Sequence, residues 1–194
     1  LVTPYFNVIS ESSDLTFSPR IYGNGNTLYQ AEYRKIKKNS EHIVDFSVLN
    51  KDSISFNSSS STHFFLNSKY NLDLYNFDQS KLSLKIQKTS NDKYLQTHKL
   101  ESPLIESKDL LHSSLNFDVS KEGLEFAIKT EAYENLNLPQ SDRFEYVFPS
   151  FSVIKNISQF DNGSLTIETS GDNKHYNTNI NEKSLVNDLK YKSY

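Results

Sequence analysis

Polar and apolar residues alternate with a period of two along most of this chain. Residues 81–87 show the pattern most clearly, because Leu82, Leu84 and Ile86 alternate with Ser83 and Lys85. Successive side chains of a β-strand point to opposite faces of a sheet, so this spacing predicts strands with one apolar and one polar face. About ten segments carry the pattern. They are residues 14–21, 28–36, 42–49, 64–74, 81–87, 111–119, 124–130, 144–154, 164–169 and 185–191.

Short polar segments, several of them containing glycine, separate these predicted strands. Residues 23–26 (GNGN), 121–123 (KEG) and 161–163 (DNG) have the composition of hairpin turns, since glycine adopts positive φ without steric cost. Further turns are predicted at 50–52 and 76–80, and longer loops at 100–109 and 136–143. Short connections place consecutive strands side by side and antiparallel. Helix signals are weak, because alanine is scarce and serine and asparagine are abundant. The predicted fold is therefore an all-β antiparallel meander of about ten strands.

Composition excludes several classes of protein. The 194 residues include no Cys, Met or Trp, so disulfides, thiolate zinc sites and a cysteine nucleophile cannot occur. The net charge of −3 gives no basic field of the kind that nucleic-acid binding requires. No run approaches the roughly 20 apolar residues of a membrane-spanning helix. The mean hydropathy is −0.63, yet 13% of the residues are aromatic, which suits strands with one polar and one apolar face.

No constellation in the sequence indicates catalysis or metal binding. The five histidines show no i, i+2 or i, i+4 spacing and no adjoining carboxylate cluster. Neither a G-x-S-x-G elbow nor a G-x-x-x-x-G-K phosphate loop occurs. Asp92 and Asp172 lie in polar segments but lack the alternating oxygen ligands of a calcium loop. A pair of glycosidase carboxylates could assemble only in space, and nothing in the sequence singles one out. We therefore expect a non-enzymatic protein without metal or cofactor.

Three short motifs occur in order near the start of the chain. They are TPYFN at residues 3–7, DLTFSPR at 14–20 and AEYR at 31–34. Their order and spacing resemble the start of the barrel in the LptD family, also called organic solvent tolerance proteins, in which a threonine usually stands at the position of Ser18. Residues 88–95 and 143–150 are similar to later parts of the same family, although the resemblance is dense only in the first 35 residues.

The resemblance implies that residues 1–194 are a fragment, without an internal boundary, that holds the first strands of a large outer-membrane β-barrel. Family barrels have about 26 strands, which is far more than this length can hold. In the family an LptE-type lipoprotein plugs the barrel, and a periplasmic bridge delivers lipopolysaccharide for insertion into the outer leaflet. The implied partners are thus these proteins, lipopolysaccharide and outer-membrane lipid, and the implied location is the cell outer membrane.

The resemblance also gives Pro4 and Pro19 a role. In the family, prolines in the first two strands weaken pairing with the last strand and leave a lateral gate through which lipid leaves the barrel. Proline lacks the backbone N–H that a sheet ladder needs, which is consistent with a loosened seam.

A second interpretation remains open at the level of the pattern. A soluble all-β periplasmic or surface module, such as an adhesin or a carbohydrate-binding sandwich, would bury the same apolar stripes between two sheets. Alternation alone does not separate the two interpretations.

Overall fold

The computed structural model describes residues 1–50, 61–160, 163–176 and 180–193, without the side chains of 158–160. These residues form one eleven-stranded sheet in which the strands follow one another in chain order. The fold is an all-β antiparallel meander, which confirms the predicted fold class.

The strands are long and their connections are mostly short. The strands are β1 Tyr5–Ser10, β2 Ser13–Ile21, β3 Thr27–Lys37, β4 Ser40–Asn50, β5 Ser61–Asn71, β6 Gln79–Thr89, β7 Leu110–Lys121, β8 Leu124–Asn135, β9 Phe144–Phe160, β10 Gly163–Tyr176 and β11 Asn181–Ser193. A single short helix in the described residues, α1, spans Tyr94–His98 between β6 and β7.

The predicted strands all occur, and β1 is the additional one. Its sequence, YFNVIS, sets apolar residues side by side at Tyr5-Phe6 and Val8-Ile9, so it has no period of two. Every residue of β1 is exposed, because the strand lies at the edge of the sheet. Alternation of polar and apolar residues thus identifies strands whose two faces differ. It misses β1, an edge strand whose two faces are alike.

Two predicted glycine turns are present and use positive φ. Gly25 has φ 85° in the turn between β2 and β3, and Gly123 has φ 68° between β7 and β8. A Cβ added at Gly123 would lie 2.9 Å from the carbonyl oxygen of Asn156, so this turn requires glycine for space as well. The turn predicted at 161–163 has its first two residues outside the described residues, as does most of the turn predicted at 50–52.

The chain divides into two compact units that are interleaved in sequence. Unit 1 comprises residues 1–68, 85–111 and 135–137, and unit 2 comprises residues 69–84, 112–134 and 138–194. Strands β1–β4 and helix α1 belong to unit 1, and strands β9–β11 belong to unit 2.

Helix α1 was not expected from the sequence. It begins after a turn in which the Tyr94 amide donates to the Asn91 carbonyl, and it ends at Lys99, which adopts a left-handed conformation. Tyr94 and Leu95 are its buried residues. Five residues are too few for helix propensity to decide the conformation, so the packing of these two side chains is what stabilises the helix.

Candidate functional site

The four strands β1–β4 of unit 1 carry an exposed apolar face. The registers of β2, β3 and β4 place one set of side chains together on one side. This apolar face consists of Leu15, Phe17, Pro19 and Ile21 of β2, Tyr29, Ala31 and Tyr33 of β3, and Val44, Phe46 and Val48 of β4. From Ile21 to Leu15 it covers six residues of strand, about 20 Å at ~3.4 Å per residue. The rings of Phe17 and Tyr29 stack on it with centroids 6.1 Å apart.

The opposite side of the same strands, the polar face, is the more buried one. It carries Asp14, Thr16, Ser18, Arg20, Gln30, Glu32, Arg34, Glu41, Asp45 and Ser47, together with the apolar residues Leu28, Ile36, Ile43 and Leu49. Asp45 is 0% exposed, whereas its neighbour Phe46 on the apolar face is 47% exposed. A water-soluble sheet buries its apolar side, so the sorting of side chains in β2–β4 is the reverse of the usual one.

Two sets of hydrogen bonds lie in the buried part of the polar face, Gln30 with Asp45 and Ser47 with His63 and Tyr94. The side-chain amide of Gln30 donates to both carboxylate oxygens of Asp45, at 3.1 Å each. The hydroxyl of Ser47 lies 2.6 Å from Nδ1 of His63 and 2.7 Å from the hydroxyl of Tyr94. Asp45 Oδ1 lies 3.4 Å from Nε2 of His63, and both side chains are 0% exposed. We call these five residues, Gln30, Asp45, Ser47, His63 and Tyr94, the buried network.

Residues 90–109, which include α1, cover this network. Gln30 also donates to the Glu101 carbonyl at 3.0 Å, and Gln87 donates to the Leu104 carbonyl at 2.7 Å. Arg20 donates to the His98 carbonyl, and the Tyr22 hydroxyl lies 2.8 Å from Nδ1 of His98. An apolar cluster completes the packing. Its buried members are Leu28, Leu49, Phe65, Tyr94, Leu95, Leu100, Leu104, Leu111 and Leu136.

Burial has an electrostatic effect on Tyr94. Removal from water raises the pKa of its phenol, and the hydrogen bond with Ser47 opposes that shift only in part. The phenol is therefore neutral over the physiological range of pH and takes part in the network as an uncharged hydroxyl.

Ser47, His63 and Asp45 are the three residue types of a nucleophilic triad, but their placement gives them a structural role. Ser47 is 1% exposed and Tyr94 bonds to its hydroxyl, so a substrate has no path to the oxygen. In the described residues no group of three or more His, Asp or Glu side chains is arranged to hold a metal ion. The network gives hydrogen-bond partners to Asp45, Ser47 and Tyr94, leaves Nε2 of His63 without one, and holds residues 90–109 on the polar face.

The strands of unit 2 show the same sorting of side chains. The apolar side includes Phe126, Ile128, Phe151, Val153, Ile167, Leu185 and Leu189. Leu185 and Leu189 of β11 are 66% and 70% exposed. The other side carries charged and hydroxyl residues that pair across strands, such as Lys190 with Glu168 at 2.9 Å. Both units thus separate apolar from polar side chains, but the polar side of unit 2 is not buried, since the side chains of Lys190 and Glu168 are 64% and 34% exposed.

Pro19 lies inside β2 and weakens its pairing with the first residues of the chain. Leu1 and Ile21 exchange two backbone hydrogen bonds of 3.0 Å, as facing residues of an antiparallel pair do. The next such pair is Thr3 and Pro19, where the Thr3 amide donates to the Pro19 carbonyl at 3.3 Å. Pro19 has no N–H to return, so this pair has one bond in place of two.

Pro4 lies immediately before β1, and its backbone nitrogen points in the opposite direction to that of Pro19 relative to the β1–β2 ladder. Val2 is opposite Arg20 and Tyr5 is opposite Phe17, which puts Pro4 opposite Ser18 in a non-hydrogen-bonded position. Its backbone nitrogen therefore points away from β2, toward the free edge of the sheet. The two predicted gate residues thus remove one donor from each side of the first strand.

The five histidines each contact a polar partner within a single unit. Two of them have been described, His63 with Ser47 and His98 with Tyr22. The others lie against Ser68 (His42, 3.1 Å), Glu131 (His112, 2.8 Å) and Asn181 (His175, 2.8 Å). None of these contacts could be read from the sequence, because each joins residues on different strands or segments. The same holds for the buried network, whose polar members on β4 fit a pattern of solvent-facing positions.

No family model matches the chain, and no curated protein matches it. No helix among the described residues is both long enough and apolar enough to cross a membrane.

Proposed function

We propose that this chain forms the first strands of an outer-membrane β-barrel of the LptD type, which inserts lipopolysaccharide into the outer leaflet without catalysing a reaction. The observation that carries the proposal is the reversed sorting of side chains, with an exposed apolar face and a buried polar face on the same strands. The order of motifs near the start of the chain, with the two prolines, specifies the family.

The solvent explains why such sorting is favourable. Each exposed apolar side chain costs roughly 25 cal/mol per Å² in water and nothing comparable in hydrocarbon. A transmembrane strand therefore places apolar residues outward over a band of about 25 Å and polar residues toward the interior. The apolar face of β2–β4 runs about 20 Å along the strands and, at the tilt of roughly 40° typical of barrel strands, covers about 15 Å of such a band.

The sheet topology favours this proposal over a soluble binding sandwich. A sandwich buries apolar stripes between two packed sheets. The described residues form one sheet, and its apolar side chains include Phe46, Leu185 and Leu189, which are exposed. Polar groups such as Asp45 occupy the buried side instead.

The first strand supports the transport step of the proposal. Pro4 removes a donor from the free edge, where a closing strand of the barrel would pair, and Pro19 removes one from the ladder behind it. A strand held weakly on both sides can separate laterally at low cost. Lipopolysaccharide would leave through this seam, after delivery by the periplasmic bridge to a barrel plugged by an LptE-like lipoprotein.

The decisive experiment follows the protein in its own cell. Membrane fractionation should place it in the outer membrane, and unheated samples in mild detergent should migrate faster in gels than heated ones, as folded barrels do. Depletion should leave newly made lipopolysaccharide in the inner membrane. A protein that is soluble and monomeric without detergent would contradict the proposal and favour the binding module.

Replacing both prolines tests the seam. Pro4→Ala with Pro19→Ala restores two donors, so we expect slower lipopolysaccharide export, measured by pulse labelling. Pro139→Ala, in the loop between β8 and β9, is the matched control and should leave the rate unchanged. Export at the normal rate in the double variant would contradict the gate assignment.

A further inference from the structure

Charged residues of β1–β4 are sorted between the two faces by sign. Every acidic residue of these strands, Asp14, Glu32, Glu41 and Asp45, belongs to the polar face. The apolar face has no acidic residue, and its only lysines are Lys35 and Lys37 at one end. Lys35 lies opposite His42 and Lys37 opposite Ser40, directly beyond the row that contains Tyr33 and Val44.

Lys38 extends this group into the hairpin turn between β3 and β4. Lys37 and Lys38 are exposed and Lys35 is partly exposed. No ion pair or side-chain hydrogen bond joins any of the three to another described residue, whereas Arg34 on the polar face pairs with Asp14 at 2.8 Å. We call these three residues, Lys35, Lys37 and Lys38, the lysine end of the apolar face.

Glu11 and Glu41 lie at the same end of these strands but belong to the turn before β2 and to the polar face, so the end of the apolar face itself carries only lysines. An apolar surface that ends in lysines matches an amphiphile with apolar chains and an anionic head. Lysine side chains at such a boundary extend their stems along the apolar surface and keep the ammonium group in the headgroup layer. Each lysine near an anionic membrane surface increases binding by roughly fivefold. The opposite end of the face, at Thr27 and Asn50, carries no charge, so the attraction is confined to one end.

We propose that the lysine end binds the phosphate groups of anionic lipids in the headgroup layer and so sets which end of β1–β4 lies at an anionic membrane surface. This inference rests on the proposed function, because it requires the apolar face to be in a bilayer. The apolar face alone would not distinguish anionic from neutral lipids, and the inference assigns that preference to Lys35, Lys37 and Lys38.

The test measures lipid selectivity of the full-length protein in vesicles. The protein is reconstituted in phosphatidylcholine with spin-labelled phosphatidylglycerol or spin-labelled phosphatidylcholine as the probe, and electron paramagnetic resonance gives the relative association of each probe. The test variant is K35Q/K37Q/K38Q. The control, K93Q/K99Q/K108Q, removes the same charge from exposed positions in residues 90–109.

We expect the unaltered protein and the control to prefer phosphatidylglycerol and the test variant to lose at least about twofold of that preference. Added salt should reduce the preference of the unaltered protein in the same direction. Heat-modifiable migration in gels shows that each variant is folded. Unchanged selectivity in a folded, inserted test variant overturns this inference alone. Failure of the unaltered protein to float with vesicles overturns the proposed function, and this inference with it.

Discussion

Ser47 is the residue on which the buried network depends. Its hydroxyl contacts both His63 and Tyr94, and it joins a strand residue to helix α1. Removing one partner of a buried hydrogen bond leaves the other unsatisfied, and this costs more than the bond contributes when formed. The energetic role of Ser47 is therefore larger than its size suggests.

Ser47→Ala should lower the free energy of unfolding by about 2–4 kcal/mol, because His63 and Tyr94, both buried, each lose a partner. Urea unfolding in detergent micelles measures this change. Ser18→Ala is the matched control on the same face, where Ser18 makes no side-chain hydrogen bond within the described residues, and should cost less than about 0.5 kcal/mol. Equal effects of the two substitutions would contradict a structural role for the network.

Tyr94 gives the fold a dependence on alkaline pH. Burial raises the pKa of its phenol, so the folded protein favours the neutral form. The resulting stabilisation is complete below the unfolded pKa near 10 and is lost as the pH rises through the higher pKa of the folded protein. We expect the difference in unfolding free energy between the unaltered protein and Tyr94→Phe to shrink above about pH 10.

Unfolding curves at several pH values between 8 and 11 would measure that difference. Tyr75→Phe is the control, since Tyr75 is 100% exposed, and its difference from the unaltered protein should stay constant. A constant difference for Tyr94→Phe would show that the phenol is not desolvated.

At the scale of elements, a proline removes a backbone donor at each of the two edges of the first strand. Pro4 does so at the free edge, and Pro19 of β2 does so in the ladder between β1 and β2. The two residues therefore have separable effects on backbone protection, although the resemblance gives both of them the same role.

Hydrogen exchange can separate them. Pro19→Ala restores an N–H directed at the Thr3 carbonyl, so the amides of Thr3 and Tyr5 should exchange more slowly, by roughly fivefold for about 1 kcal/mol. Pro4→Ala should leave these two amides unchanged, because its new N–H points to the edge. Slower exchange in Pro4→Ala alone would contradict the register.

At the scale of the whole molecule, apolar and polar side chains are separated onto opposite faces of the strands in both units. In β2–β4 most of the apolar face is exposed, whereas Gln30, Asp45 and Ser47 of the polar face are buried, and alternation in sequence gives no sign of which face is which. A charge on the apolar face therefore has a cost that depends on the medium. In a bilayer this cost is large near the midplane and small near the two membrane–water interfaces. In water it is small at every position.

Comparing Phe46→Arg with Ser40→Arg tests whether the apolar face lies in a bilayer or in water. Phe46 lies within the apolar face and Ser40 lies at its lysine end. We expect Phe46→Arg to lower the free energy of unfolding in vesicles by about 2–4 kcal/mol and Ser40→Arg by about 0–1 kcal/mol. Similar small costs for both substitutions would indicate an aqueous surface.

The sequence predicts the strands well, because a period of two is a local property of the chain. It predicts the turns at Gly25 and Gly123 for the same reason, since each depends on one backbone conformation. The period of two does not identify β1, whose two faces are alike, although the resemblance implies a first strand at Pro4, and nothing in the sequence predicts α1, which packing stabilises. The sequence does not predict the buried network either. Ser47 and Tyr94 are 47 residues apart, and no local pattern indicates that either of them is buried.

Unit 1 is assembled from three stretches of chain, and this has a consequence for the order of folding. Strands β1–β4 can pair as each hairpin is completed, but Arg20 and His98 are 78 residues apart and the apolar cluster also needs Leu136. Contacts of such separation form late and slow the folding of a chain. Until then Leu28 and Phe65 have no cover, and the half-finished sheet is most prone to aggregation. A chain stopped before residue 94 would remain in that state, so the strands alone do not make a stable intermediate.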